Sequence, residues 1–270
     1  MRSIEGAVIE FKQLDLLANG NTALHRLDAR AKVLATLFFI LAVVSFDRYA
    51  LAPLFPFFLY PVVLASAGNL PLRFIAARIG VVIPFAVLVG LFNPLFDRGI
   101  LLQLGPFPIS GGMVSFASII VRAVLTVGAA VCLLGLTGFV AVCQALERLG
   151  APRAFTVQLL FLYRYIFVLA EEASRVSRAR TLRSFGRQGL GLASFGPLVG
   201  HLLVRTWLRA ERIHMAMLAR GFRGEFHTRQ VSRFGGLELA YLLIWSALFL
   251  LLRFAAPGQW LGGFLLEFFP

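Results

Sequence analysis

The stretch 155-FTVQLLFLYRYIFVLAEEASRVSRART-181 and its later counterpart 199-VGHLLVRTWLRAERIHMAMLARG-221 decide how this chain folds. In the first, apolar residues recur at Phe155, Leu159, Leu162, Ile166, Leu169, Ala173 and Val176, steps of four and three that put them on one side of an α-helix. Arg164, Glu171, Arg175 and Arg178 share the opposite side. In the second, Val199, Leu203, Thr206, Ala210, Ile213 and Met217 form the stripe, opposed by Arg205, Arg209 and Arg212. Two long amphipathic helices are predicted. Pro152 and Pro197 are expected where each begins, because the missing N–H has no intrahelical partner there. Each stripe ends in a related word, Ala179-Arg180-Thr181 and Ala219-Arg220-Gly221, and Gly221 suits the left-handed residue that closes a helix.

Both stripes lie within residues 142–236, which hold 15 arginines against five acids, a net +10 of the chain's formal +13. The basicity is local, and Arg175, Arg178, Arg183, Arg205, Arg209 and Arg212 make up a basic face that supports the two end words. Lys12 and Lys32 are the only lysines beside 24 arginines. The choice favours a planar, permanently charged donor fork that suits carboxylates or phosphates. Nucleic acid is the other partner that basicity suggests, but an arginine face bounded by apolar runs is poorly placed for it, and no nucleic-acid partner is expected.

The rest of the chain is too apolar for water. With 59% hydrophobic residues, 14% charged residues and 27 Phe, it would expose more apolar surface than a soluble domain tolerates. The fold class expected is an all-α integral membrane protein with about five transmembrane helices plus two long cytoplasmic amphipathic helices. Apolar spans are predicted at 33–46, 49–67, 79–96, 113–142 and 237–252. The first and last are short against the roughly 20 residues a bilayer core requires, so flanking residues are expected to extend them. Asp28 reads as the N-cap of the first span. Pro53, Pro56, Pro61 and Pro84 fall inside the second and third spans, and residues 93–112 read as an outer loop.

Five spans make a single membrane domain over 1–270. Residues 1–32 form a cytoplasmic N-terminal segment, 33–142 four spans, 143–236 the amphipathic-helix region, 237–252 the fifth span and 253–270 a C-terminal tail. With the N-terminus cytoplasmic, inside segments carry 22 Lys and Arg and outside segments three, Arg48, Arg98 and Arg253. Arg122 lies within a span, either as a substrate or coupling residue, or snorkelling outward or bonded to carbonyls at a proline kink; the latter reading is preferred because an unpaired charge there costs at least about 2.5–3.5 kcal/mol. No apolar leader of the secretory type follows a basic start.

Absent motifs narrow the function. Neither lysine follows a glycine-rich phosphate loop, so the chain is not expected to hydrolyse nucleotide itself. No H-E-x-x-H, no G-x-S-x-G and no cluster of aspartates within a span occurs. Cys132, Cys143 and the four histidines have no metal-ligand spacing. Catalytic and metal residues are none. A basic platform beside membrane spans points instead to docking with a partner that carries the nucleotide site.

The paired words Ala179-Arg180-Thr181 and Ala219-Arg220-Gly221, each closing an amphipathic helix, resemble the transmembrane T component of energy-coupling factor transporters. Gly20-Asn21 through His25-Arg26-Leu27-Asp28-x-Arg30-x-Lys32 looks like the metal-type branch, the CbiQ family of cobalt and nickel importers. The resemblance covers nearly the whole chain. Met217-Leu218-Ala219-Arg220-Gly221-Phe222 is its more specific motif, whereas Thr181 departs from the glycine expected in the first. It implies a membrane scaffold joining a substrate-binding S component to a pair of ABC-type ATPases, with each motif arginine docked beside acidic residues of one ATPase. It also implies that ATP and Mg are used by the partner, and that this chain binds no cofactor. Cobalt is the expected cargo, nickel or a vitamin the alternatives, and a membrane enzyme acting on lipid headgroups is the competing class.

Overall fold

The computed structural model describes residues 13–96, 100–104, 107–183, 192–224 and 234–254. In chain order they form α1 (Ala23–Arg26), α2 (Ala29–Val44), a 3-10 helix (Ala52–Phe58), α3 (Leu59–Ala67), α4 (Leu72–Gly90), α5 (Asn93–Phe96), β1 (Ile100–Leu104) and β2 (Phe107–Ser110). There follow α6 (Gly111–Thr137), α7 (Phe139–Arg148), α8 (Arg153–Arg183), α9 (Leu192–Ala219) and α10 (Gly236–Phe254). The chain divides into two compact units, one of Leu16–Val142 with Ser232–Pro270, the other of Met1–Asp15 with Cys143–Val231.

The first unit is a helical bundle in which α2 packs on α6 and α10, and α4 packs along α6. Asp28 caps α2 as its position suggested, its Oδ1 accepting the Arg30 backbone N–H at 2.9 Å. At the bundle's centre, Phe39 stacks on Tyr60 at 4.7 Å between ring centroids and meets Phe249 edge-on at 5.4 Å, while Trp245 stands edge-on to Tyr60 at 4.7 Å. Such aromatic pairs each contribute about 0.5–1.5 kcal/mol beyond the area they bury. The Thr36 hydroxyl donates to the Lys32 carbonyl at 2.9 Å, so the Tyr60 hydroxyl, 2.8 Å away, donates to Thr36. These two hydroxyls therefore satisfy each other inside the bundle, as polar groups in lipid must.

Among the described residues, four helices are long and apolar enough to cross a membrane, Leu72–Gly90, Gly111–Thr137, Arg153–Leu182 and Gly236–Phe254. The chain is a multi-pass membrane protein, helical among the described residues apart from the short hairpin β1–β2; the count agrees roughly with the five spans expected, although Arg153–Leu182 was expected as an amphipathic helix and not as a span. The second predicted span is broken: Ala52–Phe58 winds as a 3-10 helix containing Pro56 before α3 begins. Its prolines withhold the N–H groups that α-helical bonding would use. The 3-10 rise is larger, so the two pieces end to end reach about 27 Å, close to the hydrocarbon thickness.

Other boundaries move for local reasons. The third helix starts at Leu72 rather than 79, because Arg73 and Arg78 are compatible with helix although they interrupt the apolar run. The fourth ends at Thr137 rather than 142, because Gly138 takes φ +76°, outside the helical region. The outer loop expected at 93–112 contains a short helix, α5, and the antiparallel hairpin β1–β2.

Arg122 is held by a carbonyl, as preferred, but not at a proline kink. Its Nη2 donates to the Asp47 carbonyl just past the end of α2. Arg253 of α10 makes the parallel contact, with Nη2 3.0 Å from the Ser45 carbonyl and its guanidinium 4.4 Å over the Phe46 ring. Two cations thus meet carbonyls at the negative dipole end of one helix. Arg122→Ala is expected to lower the unfolding midpoint in detergent, since a hydrogen bond to a charged group contributes about 1.5–3 kcal/mol. An unchanged midpoint would show that this contact does not hold the bundle together.

Candidate functional site

The site is built on α8 and α9, both in the second unit. Pro152 precedes α8, its carbonyl accepting the Phe155 and Thr156 N–H groups at 3.0 and 3.3 Å, so the first predicted start is reproduced. The second is not: α9 begins at Leu192, and Pro197 lies inside it. One absent backbone bond does not stop a helix whose neighbouring residues continue the pattern.

The apolar stripe of α9 and a shifted face of α8 meet at a common space. Leu203, Thr206, Ala210, Ile213 and Met217 of α9 line an open groove of about 490 Å³, but of the stripe predicted for α8 only Leu162 and Leu169 reach it. Phe161, Tyr165 and Val168 complete the α8 wall, and Trp207 and His214 line the α9 side; none of these was foreseen, because they lie beside the predicted repeats rather than on them. Several of these apolar side chains stay uncovered; Leu203 is 67% and Trp207 74% exposed, far more than a helix buried in its own fold would leave.

The basic face is exposed at Arg175, Arg178, Arg205, Arg209 and Arg212. Arg175 pairs with Glu171 one turn back at 3.6 Å, with both side chains largely in solvent, which makes this a weak pair. Arg212 donates from Nε to the Leu208 carbonyl at 3.1 Å. Arg183 is the last residue of α8. Across the helices, Arg205 Nη1 meets Glu172 Oε1 at 2.6 Å, a charge-assisted hydrogen bond that joins positions 33 apart.

The end words differ in geometry. Gly221 has φ +80°, its N–H bonds to the Leu218 carbonyl at 2.9 Å, and the Phe222 N–H bonds to the Met217 carbonyl at 3.0 Å. These are the two bonds of a Schellman closure, with Gly221 in the left-handed position. Arg220 is thereby set at the helix end, exposed and with its backbone direction fixed. Ala179-Arg180-Thr181, expected to close α8, is instead helical throughout, since α8 runs on to Arg183. Thr181 lacks glycine's freedom at positive φ, and its hydroxyl bonds back to the Ser177 carbonyl at 2.9 Å. Arg180 is half-buried there, unlike exposed Arg178 beside it.

The N-terminal motif is structural in its contacts. His25 uses both ring nitrogens, Nδ1 with the Thr22 hydroxyl at 2.7 Å and Nε2 with the Leu17 carbonyl at 2.9 Å. A Cβ on residue 20 would come within 2.7 Å of that ring, which explains the glycine. Asp28 and Lys32 are 4% and 3% exposed, and Lys32 Nζ donates to the Leu136 carbonyl at 3.2 Å.

A multi-pass membrane chain with an unpartnered pair of amphipathic, arginine-bearing helices is of the class of transport-complex subunits. A family model described as cobalt transport protein, CbiQ, matches residues 20–233, and the chain belongs to that family. It is 30% identical over 224 residues to the energy-coupling factor transporter transmembrane protein EcfT of Heliobacterium modesticaldum, covering 76% of this chain and 81% of that one. To the protein of the same name from Listeria innocua it is 26% identical, covering 76% and 82%. To the cobalt transport protein CbiQ of Salmonella typhimurium it is 30% identical, covering 54% and 70%.

Proposed function

We propose that this chain is the energy-coupling T subunit of an ECF-type ABC importer, joining a pair of ABC-type ATPases to a membrane-embedded S component that binds cobalt. The observation that carries the reading is Arg220, presented in solvent at a closed helix end by a chain of the CbiQ family. A guanidinium fixed in this way makes directed, bidentate contact with a carboxylate, and such a contact transmits force along the helix. Arg180 is the second contact. The exposed stripes and groove would be covered by the two partners and the bilayer. Hydrolysis of ATP with Mg belongs to the ATPases, and this chain is not an enzyme.

The N-terminus, α8 and α9 are placed on the cytoplasmic side of the inner membrane. Although α8 is long and apolar enough to span, its most apolar part, residues 155–170, makes about 24 Å of helix with Arg164 within it, against a hydrocarbon core of roughly 30 Å. Glu171, Glu172 and the arginines fill the remainder. Nickel is the alternative cargo. A T subunit shared by vitamin-binding S components is the second reading, favoured because relatives bearing the general EcfT name match more of the chain than the Salmonella CbiQ does.

The test is co-expression with ABC-type ATPases and a cobalt-binding S component, followed by purification and cobalt uptake in proteoliposomes. The expected result is a stable complex with ATP-dependent uptake. Purification with neither partner, or lipid turnover by the chain alone without ATP, would overturn the proposal. Vitamin uptake in place of metal uptake would transfer it to the second reading.

A further inference from the structure

We infer that the Glu172–Arg205 ion pair is the positioning pivot that sets the crossing of α8 and α9, and through it the placement of Arg180 and Arg220. The inference rests on the T-subunit reading for its consequence, though not for its geometry. The two helices are 31 and 28 residues long and leave an open groove of about 490 Å³ between them, so side-chain packing does not lock their crossing along that length. At the edge of the groove stands a 2.6 Å contact between Arg205 Nη1 and Glu172 Oε1. The Glu172 side chain is only 18% exposed while that of Arg205 is 58%, so the carboxylate is partly withdrawn from water and the contact is less screened than a pair at the surface.

The surroundings make the pair more than a local bond. Arg205, Arg209 and Arg212 line a second hollow beside it, together with Thr206, Ile213 and Ala216, and Glu172 is the one carboxylate among its lining residues. Without Glu172 those three arginines would line the hollow with no carboxylate among them, the bond from α8 to α9 would be gone, and α9 would swing away. Measured along the helices, Arg180 lies about 12 Å beyond the pivot and Arg220 about 22 Å beyond it. A change of crossing angle is therefore carried to both docking arginines, and over the longer arm to Arg220. Glu172 and Arg205 need not touch a partner to matter. They fix the separation at which two docking points reach two ATPases.

The test uses Glu172→Arg, Arg205→Glu and the double reversal in the full chain. Spin labels at Glu171→Cys and Glu211→Cys, with Cys132 and Cys143 changed to Ala, report the α8–α9 distance in nanodiscs without partners. Each single reversal is expected to broaden or shift the distance distribution, and the double reversal to bring it back. In the assembled transporter, the single reversals should lose uptake per ATP hydrolysed by about tenfold, within the range of coupling between distant sites. The double reversal should regain most of it. Unchanged distances in the single variants, or no return in the double, would overturn the pivot. Restored distances with no ATPase capture by any variant or the parent would leave the pivot standing and sink the T-subunit reading instead.

Discussion

Replacing Arg220 with Ala is expected to weaken ATPase capture by a factor of roughly 30 or more, because truncating one partner of a desolvated, hydrogen-bonded charge pair costs about 2–5 kcal/mol and about 1.4 kcal/mol is tenfold. Much of that cost falls on the partner, whose acidic groove is left closed over an unpaired carboxylate. Arg180→Ala should act in the same direction with a smaller effect. The structure supplies the reason: Arg220 leaves a helix closed by two backbone bonds to Met217 and Leu218, whereas Arg180 lies within a continuing helix, half-buried. Arg209→Ala, on an exposed face, should cost about 0–1 kcal/mol, as solvated pairs do. Pull-down of the ATPases at fixed expression together with uptake compares the three. Equal, mild losses at all of them would mean a diffuse charge facing lipid, and the two-point docking scheme would have to be abandoned.

The parts of the fold that were legible are those in which a local rule has a single solution. Asp28 caps α2 and Gly221 closes α9, because an acidic side chain before a helix and a glycine after it satisfy backbone groups within a few residues. The apolar stripe of α9 indicated the face that lines the groove, because a period of 3.6 is a property of the helix alone, whereas α8 turns a neighbouring face toward it and shares only Leu162 and Leu169 with the stripe. Hydropathy placed the spans but not their ends. It records where side chains are apolar, while Gly138 at φ +76° and the prolines near Ala52–Phe58 act through the backbone. Thr181 was legible as a departure from the glycine of the motif but not in its consequence: its hydroxyl bonds back to the Ser177 carbonyl and the helix runs on. Glu172 and Arg205 were read only as an acid in a basic segment and a member of the arginine face. Their pairing depends on how two helices cross, and nothing within either sequence window records that. The bond from Arg122 to the carbonyl of Asp47, 75 positions away, was legible as a need for some acceptor and not as this one.

Asp28→Ala should cost the first unit about 3–5 kcal/mol, the range for removing one member of a buried charge pair. Asp28 is 4% exposed and Lys32 3%, and the two charges act on each other from adjacent turns at the start of α2. Asp28 also caps the helix through the Arg30 N–H at 2.9 Å and meets Arg30 Nη2 at 3.3 Å, so the substitution removes a cap, about 1 kcal/mol, together with the compensation for a buried ammonium. Lys32→Met should cost less. It leaves the cap and the Arg30 pair in place and loses one bond, to the Leu136 carbonyl at 3.2 Å near the end of α6. The double variant is then expected to be more stable than Asp28→Ala alone, because the stranded cation is gone; Asp28→Asn, which keeps a cap acceptor without the charge, should fall between. Chemical or thermal unfolding of the four proteins in one detergent, read by the loss of helical circular dichroism, orders them. Strict additivity would show that the two side chains do not interact. Wild-type stability of Asp28→Ala with loss of uptake per assembled molecule would move this motif from the scaffold to the path of the cargo.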